Sequence, residues 1–268
     1  MPINNRKLLL LCNPGTQGVN YVPAVHTVLQ RYNNYFMSEV GGAWDDGEIL
    51  EEPQGYDENS EVTWLAIQLK ELALADYSMI VFVGHGGAYQ GNDKIQLSQG
   101  KTIDVTDFLA PQGMEGSIKR TVIVDACRSL IGATQQQLIL EQREFSGQGQ
   151  LDRDYCRRHY NHQIEVCEPH VELIQSTQYG NPALVNQAGT GTTFSDAFFG
   201  VLDPNVKVWN AQAMGLRTGQ LSKTTNELMP LVQAGMQIYN QVPQVSRYGS
   251  NVGDYPIYAV WRAVTRVL

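Results

Sequence analysis

Two residues of this chain carry side chains suited to nucleophilic catalysis and stand at matching places in their local sequence. His85 closes the run Ser78-Met79-Ile80-Val81-Phe82-Val83-Gly84 and is followed by Gly86-Gly87; Cys127 closes Thr121-Val122-Ile123-Val124-Asp125-Ala126 and is followed by Arg128-Ser129. A thiol attacks as the thiolate and a departing amine needs a proton, so a cysteine with a histidine in reach makes a nucleophile and its acid/base partner. Each run is a continuous apolar block closed by a polar break, the pattern of a strand buried on both faces of a parallel sheet. Ligands gather at the carboxyl ends of such strands. If the two strands are neighbours, that edge brings the imidazole and the thiol together.

The elements that must hold these strands alternate in kind. Residues 7–12 read as a strand stopped by Asn13-Pro14-Gly15-Thr16. Val22, Val25, Leu29, Tyr32 and Phe36 recur at helical spacing, which predicts a helix over 22–39. A short strand at 47–51 and a helix capped by Asn59-Ser60 and running to about 75 lead into the strand at 77–84. This β-α-β-α-β order predicts a parallel sheet with right-handed crossovers. A hairpin is expected over 93–105, a short helix at 106–109, then strands at 120–127 and 171–176, helices at 194–202 and 225–239, and a last strand at 255–261. Periodicity fails over 142–170, which reads as a long exposed segment. With no internal repeat, the chain reads as one domain.

Composition narrows the function classes. Of 268 residues 43% are hydrophobic, enough for a sizeable core, and 19 Lys plus Arg against 27 Asp plus Glu give a net charge of −8. Nucleic-acid binding needs a basic patch, which that balance disfavours; it suits basic partners better. The apolar run at 8–12 is too short for a signal peptide, and no stretch approaches the ~20 apolar residues needed to span a bilayer, so no membrane association and a cytoplasmic location are expected. Cys12, Cys127, Cys156 and Cys167 then read as reduced thiols, and none forms a close pair with zinc-ligand spacing.

Strands ending in His85-Gly86-Gly87 and in Asp125-Ala126-Cys127-Arg128-Ser129, with alternating strands and helices around them over 7–261, resemble the caspase-type cysteine peptidases, in particular the metacaspase, orthocaspase and bacterial caspase-like branch. The resemblance implies an α/β caspase-like fold: a six-stranded sheet, five strands parallel and one antiparallel, with helices on both faces. It implies a large-subunit-like part at 1–141, a flexible linker at 142–170 and a small-subunit-like part at 171–268. It also implies peptide-bond cleavage by a dyad, with Cys127 as nucleophile and His85 as general acid/base. The backbone N–H groups of Gly86 and Cys127 would hold the oxyanion, and the family requires no third triad residue. Asp125, two positions before the nucleophile, matches the floor of the pocket for the residue preceding the cut bond. A carboxylate there selects Arg or Lys, so protein or peptide substrates with a basic residue before the cut are expected. Metacaspases usually carry a second aspartate at the start of the first helix, where this chain has Thr27. Arg143, Arg153, Arg157 and Arg158 offer such an enzyme places to cut itself, as relatives that mature from zymogens do, although charge clusters more often solvate a loop.

Plainer readings compete. A lone cysteine is commonly an inert buried thiol, and Cys12, Cys156 and Cys167 are read so; His26, His159, His162 and His170 are read as loop or helix surface residues. Gly189 and Gly191 lack the Lys-Ser/Thr pair of a phosphate loop. Relatives of metacaspase type often need calcium, but Asp45, Asp46, Glu48, Glu51 and Glu52 read better as a solvated acidic face, and no metal or other cofactor is assigned. Two functions from different classes stand: an active endopeptidase, and a catalytically silent caspase-like module serving as regulator or scaffold. The paired His85 and Cys127 favour the first, with any trigger supplied by a regulatory partner protein.

Overall fold

Along the central strands the pleat divides apolar residues between two cores. Leu8, Leu10, Met79, Val81, Val83 and Ile123 enter one core, while Leu9, Leu11, Ile80, Phe82, Val122 and Val124 enter the other. That two-sided burial is why these runs show no polar alternation. The computed structural model describes residues 2–17, 19–53, 57–110, 117–128, 152–184, 191–202, 224–237, 241–250 and 253–257. Six strands form the main sheet: β1 (Arg6–Asn13), β2 (Ile49–Glu51), β3 (Tyr77–Gly84), β7 (Arg120–Ala126), β8 (His170–Gln175) and β9 (Gln244–Gly249). Their order is β2-β1-β3-β7-β8-β9, with β9 antiparallel to β8 and the other pairs parallel, the expected arrangement. Between β3 and β7 the chain makes a second, antiparallel sheet from β4 (Gly86–Tyr89), β5 (Asn92–Gln96) and β6 (Thr102–Asp104). The sequence pattern showed its β5–β6 hairpin but not β4, because Gly86 and Gly87 carry no strand signal.

Helices cover both faces. Helices α1 (Ala24–Met37), α3 (Arg153–Val166), α4 (Thr193–Leu202) and α5 (Thr225–Met236) pack into the first core, where Tyr32, Tyr35, Phe36, Tyr160, Phe198 and Phe199 cluster. Leu65 and Leu72 of α2 (Glu58–Ala73) join Ile95 and Phe108 in the second. Asp57, not Asn59 or Ser60, is the N-cap of α2, its carboxylate accepting from the Ser60 N–H.

Four expectations need correction. The flexible linker expected over 142–170 is, in its described part, helix α3, which Asp152 caps and which buries Cys156, Tyr160 and Ile164 at four-residue spacing; residues 142–151 lie outside the described residues. Its many charges hid the periodicity, since only this narrow stripe is apolar. Arg153, Arg157 and Arg158 therefore sit in a helix, and cutting there requires α3 to open first. Among the described residues the last strand is β9; of the strand expected at 255–261, Tyr255 is a buried core residue, Pro256 forms only an isolated bridge with Thr224, and 258–261 lie outside the described residues. His170 is no surface residue; it is fully buried, stacked on Tyr255 at 4.1 Å and hydrogen-bonded to Glu172.

The acidic face, finally, is partly neutralised rather than simply solvated. Asp45 pairs with Arg153 and Arg157, and Glu48 pairs with Arg157 at 2.6 Å and with the buried Arg6 at 3.0 Å. Burial pushes the Glu48 carboxyl up, but the hydrogen bonds from Arg157 and Arg6 prevail and hold it at about 2. Removing Glu48 leaves the Arg6 guanidinium buried without its counter-charge. Glu48→Ala is expected to cost ~3 kcal/mol of stability in urea unfolding; a loss below ~1 kcal/mol would show that the carbonyls of Gly42 and Ala43 suffice for Arg6.

Candidate active site

Parallel pairing sets the site. In the β3–β7 register Val83 lies opposite Asp125 and Gly84 opposite Ala126, so the next step along each chain is His85 and Cys127. Alternation then puts Val83, His85, Asp125 and Cys127 toward one face, the α1 and α4 side. These four, with Val22, Val25, Ala183 and Thr192, line one cavity of about 40 Å³ at the carboxyl edge of the sheet. The volume holds a few waters.

The β1–α1 loop fixes the histidine. The Nε2 atom of His85 lies 2.9 Å from the Asn20 carbonyl oxygen. A carbonyl only accepts, so this contact assigns the hydrogen to Nε2 and leaves Nδ1 as the ring's free acceptor when neutral. Gly15 makes the contact possible: its φ is +87°, and a Cβ there would come within 2.5 Å of His85 Nε2. Asn13 braces the same corner from β1, its carbonyl accepting from the His85 N–H and its side-chain amide donating to the carbonyls of Gln96 and Leu97.

The Cys127 residue is only 8% exposed and its thiol is clasped by Ala183: the Ala183 N–H donates to Sγ at 3.3 Å, and Sγ lies 3.6 Å from the Ala183 carbonyl oxygen. Burial pushes its pKa above the ordinary value, the Ala183 N–H draws it down, and the Asp125 carboxylate pushes it up again. Cys127 therefore rests as the thiol. Gly86 touches the same loop, where a Cβ would lie 2.7 Å from the Cys127 carbonyl oxygen.

Arg128 joins the two catalytic candidates' supports. Its guanidinium makes a two-point contact with Asp93 of β5 at 2.8 and 2.7 Å, and donates to the Thr177 carbonyl and to Gln244 of β9. Gln175 donates to the same Asp93. The residue after Cys127 is thus tied to the small sheet that continues from His85.

Asp125 is 1% exposed, and burial pushes its carboxyl from 3.8 up to about 7, against the pull of the Thr192 and Ser176 hydroxyls. Thr192 donates to Oδ2 at 2.5 Å, while Oδ1 is buried without a hydrogen-bond partner. Thr27 is exposed and does not line the cavity; Ala24 and Val25 do.

Other thiols are unsuited to chemistry. Burial raises Cys12, Cys156 and Cys167 each to about 11, with nearby carboxylates adding to it. Cys12 Sγ lies 3.9 Å from His26 Nδ1, but Glu52 and Glu51 oppose a thiolate there. Among the described residues no group of three or more His, Cys, Asp or Glu could hold a metal ion, and no helix is long and apolar enough to cross a membrane. Sequence reasoning missed Asn20, Ala183 and Thr192. The first two act through backbone atoms, which leave no side-chain signal.

No protein-family model and no curated protein matches the chain. Among solved structures it is similar to the crystal structure of caspase-1 from Spodoptera frugiperda, at 9% identity, over 95% of this chain and 90% of that one, with a TM-score of 0.53. The likeness is one of fold: a caspase-like α/β fold.

Two predictions follow from the buried charges. Asp125 holds its proton more tightly folded than unfolded, so its contribution to stability is present below about pH 4 and is lost as pH rises through about 7. Wild type should therefore lose up to ~4 kcal/mol relative to Asp125→Asn between pH 4 and 8, read from urea unfolding at each pH; equal slopes in the two proteins would contradict a buried ionisable carboxyl. In a double-mutant cycle, Arg128→Met and Asp93→Asn should couple by roughly 1–3 kcal/mol, and additivity would show that the pair does not join the two loops.

Proposed function

We propose that this chain is a cysteine endopeptidase that cleaves after basic residues, with Cys127 as nucleophile and His85 as general acid/base. The observation that carries the reading is that His85, Cys127 and Asp125 line one cavity at the sheet edge; the caspase-like fold is consistent with it.

Because burial keeps the thiol protonated, attack and proton transfer go together. Sγ bonds to the scissile carbonyl carbon as its proton passes to His85 Nδ1, and the carbonyl oxygen becomes an oxyanion. The Asn20 carbonyl steadies the imidazolium through Nε2–H. Gly86 supports the oxyanion role by its place in the ladder. The Gln96 N–H donates to the His85 carbonyl, so the next pair, Gly86 opposite Ile95, is a non-hydrogen-bonded one and its N–H is not spent on β5. That donor and the Cys127 N–H serve the oxyanion, each worth ~2.7–4 kcal/mol in the transition state. Collapse expels the amine, which takes the proton from His85 and leaves a thioester; water, deprotonated by His85, then releases the acid and restores the thiol. The ionised Asp125 binds the basic side chain before the cut.

The same burial supports a second reading, a silent caspase-like module, since a protonated thiol held by Ala183 is a poor nucleophile. Turnover separates the two. Peptides with Lys or Arg before the reporter should be cleaved under reducing conditions and matched Asp or Ala peptides should not. Cys127→Ala should abolish cleavage and His85→Ala should lower it about 10²–10⁴-fold. KM for basic peptides should fall as pH rises through about 7, where Asp125 ionises, and Asp125→Asn should lose that dependence. Absence of turnover of every basic peptide would favour the silent module. Self-processing belongs to the same proposal: α3 opens, or the cut falls at Arg143, outside the described residues. Mass spectrometry should then find Cys127→Ala intact where wild type is clipped; clipping of both would assign the cut to another protease.

A further inference from the structure

We infer that the pocket selects lysine over arginine, and that the Thr192 hydroxyl sets this preference; the inference rests on the peptidase reading above. The argument is a count of hydrogen-bonding positions. Thr192 directly precedes α4, and its Oγ1 accepts from the Ser195 N–H at 2.9 Å, the contact of an N-cap. With that lone pair used, its single hydrogen is directed to Asp125 Oδ2. One carboxylate oxygen is therefore occupied by the protein. Only Oδ1 remains, buried and without a partner, since the nearby Ser176 hydroxyl donates its hydrogen to the Ala126 carbonyl at 3.2 Å.

Arginine gains its advantage at carboxylates by presenting two parallel N–H groups to two oxygens. Here that fork meets one free oxygen, so a guanidinium leaves N–H donors without a protein acceptor at the pocket floor, which is costly. A lysine ammonium is a compact point charge that needs one strong acceptor at the floor. The walls agree with this. Val22, Ala24, Val25, Val83 and Ala183 suit a four-carbon stem and offer no side-chain acceptor to a broad planar group. Among the described residues no second carboxylate lines the cavity: Asp196, the nearest, is bound to Arg31 at 2.7 Å, and Thr27 stands outside.

The test uses two fluorogenic peptides that differ only in Lys or Arg before the reporter, assayed at pH 8 with the full chain. Wild type should favour Lys in kcat/KM by about tenfold, the worth of one charge-assisted hydrogen bond. Thr192→Val should bring the ratio to within about threefold, mainly by raising kcat/KM on Arg, because it frees Oδ2 for the fork. Thr192→Ser, which keeps the hydroxyl, should retain the wild-type ratio. If Thr192→Val does not fold, Thr192→Gly removes the same hydroxyl at a position where helices accept glycine. Arg cleaved as well as Lys by wild type, or an unchanged ratio in the Val and Gly variants, overturns the inference while leaving the peptidase reading in place. Turnover of neither peptide by wild type overturns the peptidase reading itself.

Discussion

The in-register parallel pairing of β3 with β7 is the constraint on which the site depends. It sets Val83 against Asp125, and one step further it delivers His85 and Cys127 to adjacent strand ends. A shift by one residue would send every side chain of one strand to the opposite face. The register is held because both faces are buried: Val81 and Ile123 must enter one core, and Phe82 and Val124 the other. The same hydrophobic demand that folds the sheet therefore aligns the histidine, the thiol and the carboxylate on one side of it.

Polar contacts then refine what the sheet only roughly aligns. The Asn20 carbonyl settles which histidine nitrogen carries hydrogen, Ala183 clasps the sulfur, and Arg128 ties the loop after Cys127 to Asp93. Asp125 keeps an unpartnered oxygen and a carboxyl raised to about 7, the sort of local inconsistency that tends to mark functional positions. Burial disfavours the charged form of both the Cys127 thiol and the Asp125 carboxyl.

Much of this was legible in the sequence. Two apolar runs closed by His85 and Cys127 implied strand ends at one sheet edge, adjacent only if the strands were neighbours, and the alternation of strands and helices implied the parallel sheet. Asp125 was placed beside them by the resemblance to the caspase-type peptidases, and its position opposite Val83 agrees with that. What stayed hidden has physical reasons. Helix α3 carries so many charges that Cys156, Tyr160 and Ile164 were not seen as a stripe. Strand β9, with Gln244, Ser246 and Arg247, is half-buried at a sheet edge and has little apolar signal. His170 and Glu172 look like surface residues until Tyr255 and Thr225, distant in sequence, close over them. Thr192 is one of several threonines near Gly191, and only the fold brings its hydroxyl to Asp125.

The central claim is that His85 and Cys127 act on one carbonyl held over the Asp125 pocket. A crystal structure of the protein with a peptide aldehyde ending in a basic residue tests it most directly. The account predicts a bond from Cys127 Sγ to the aldehyde carbon, with His85 Nδ1 at hydrogen-bond distance from the adduct. Its oxygen should lie near the N–H groups of Gly86 and Cys127, and the basic side chain should reach Asp125 Oδ1. An adduct on another residue, or one formed on Cys127 with His85 turned away and the basic side chain in solvent, would contradict it.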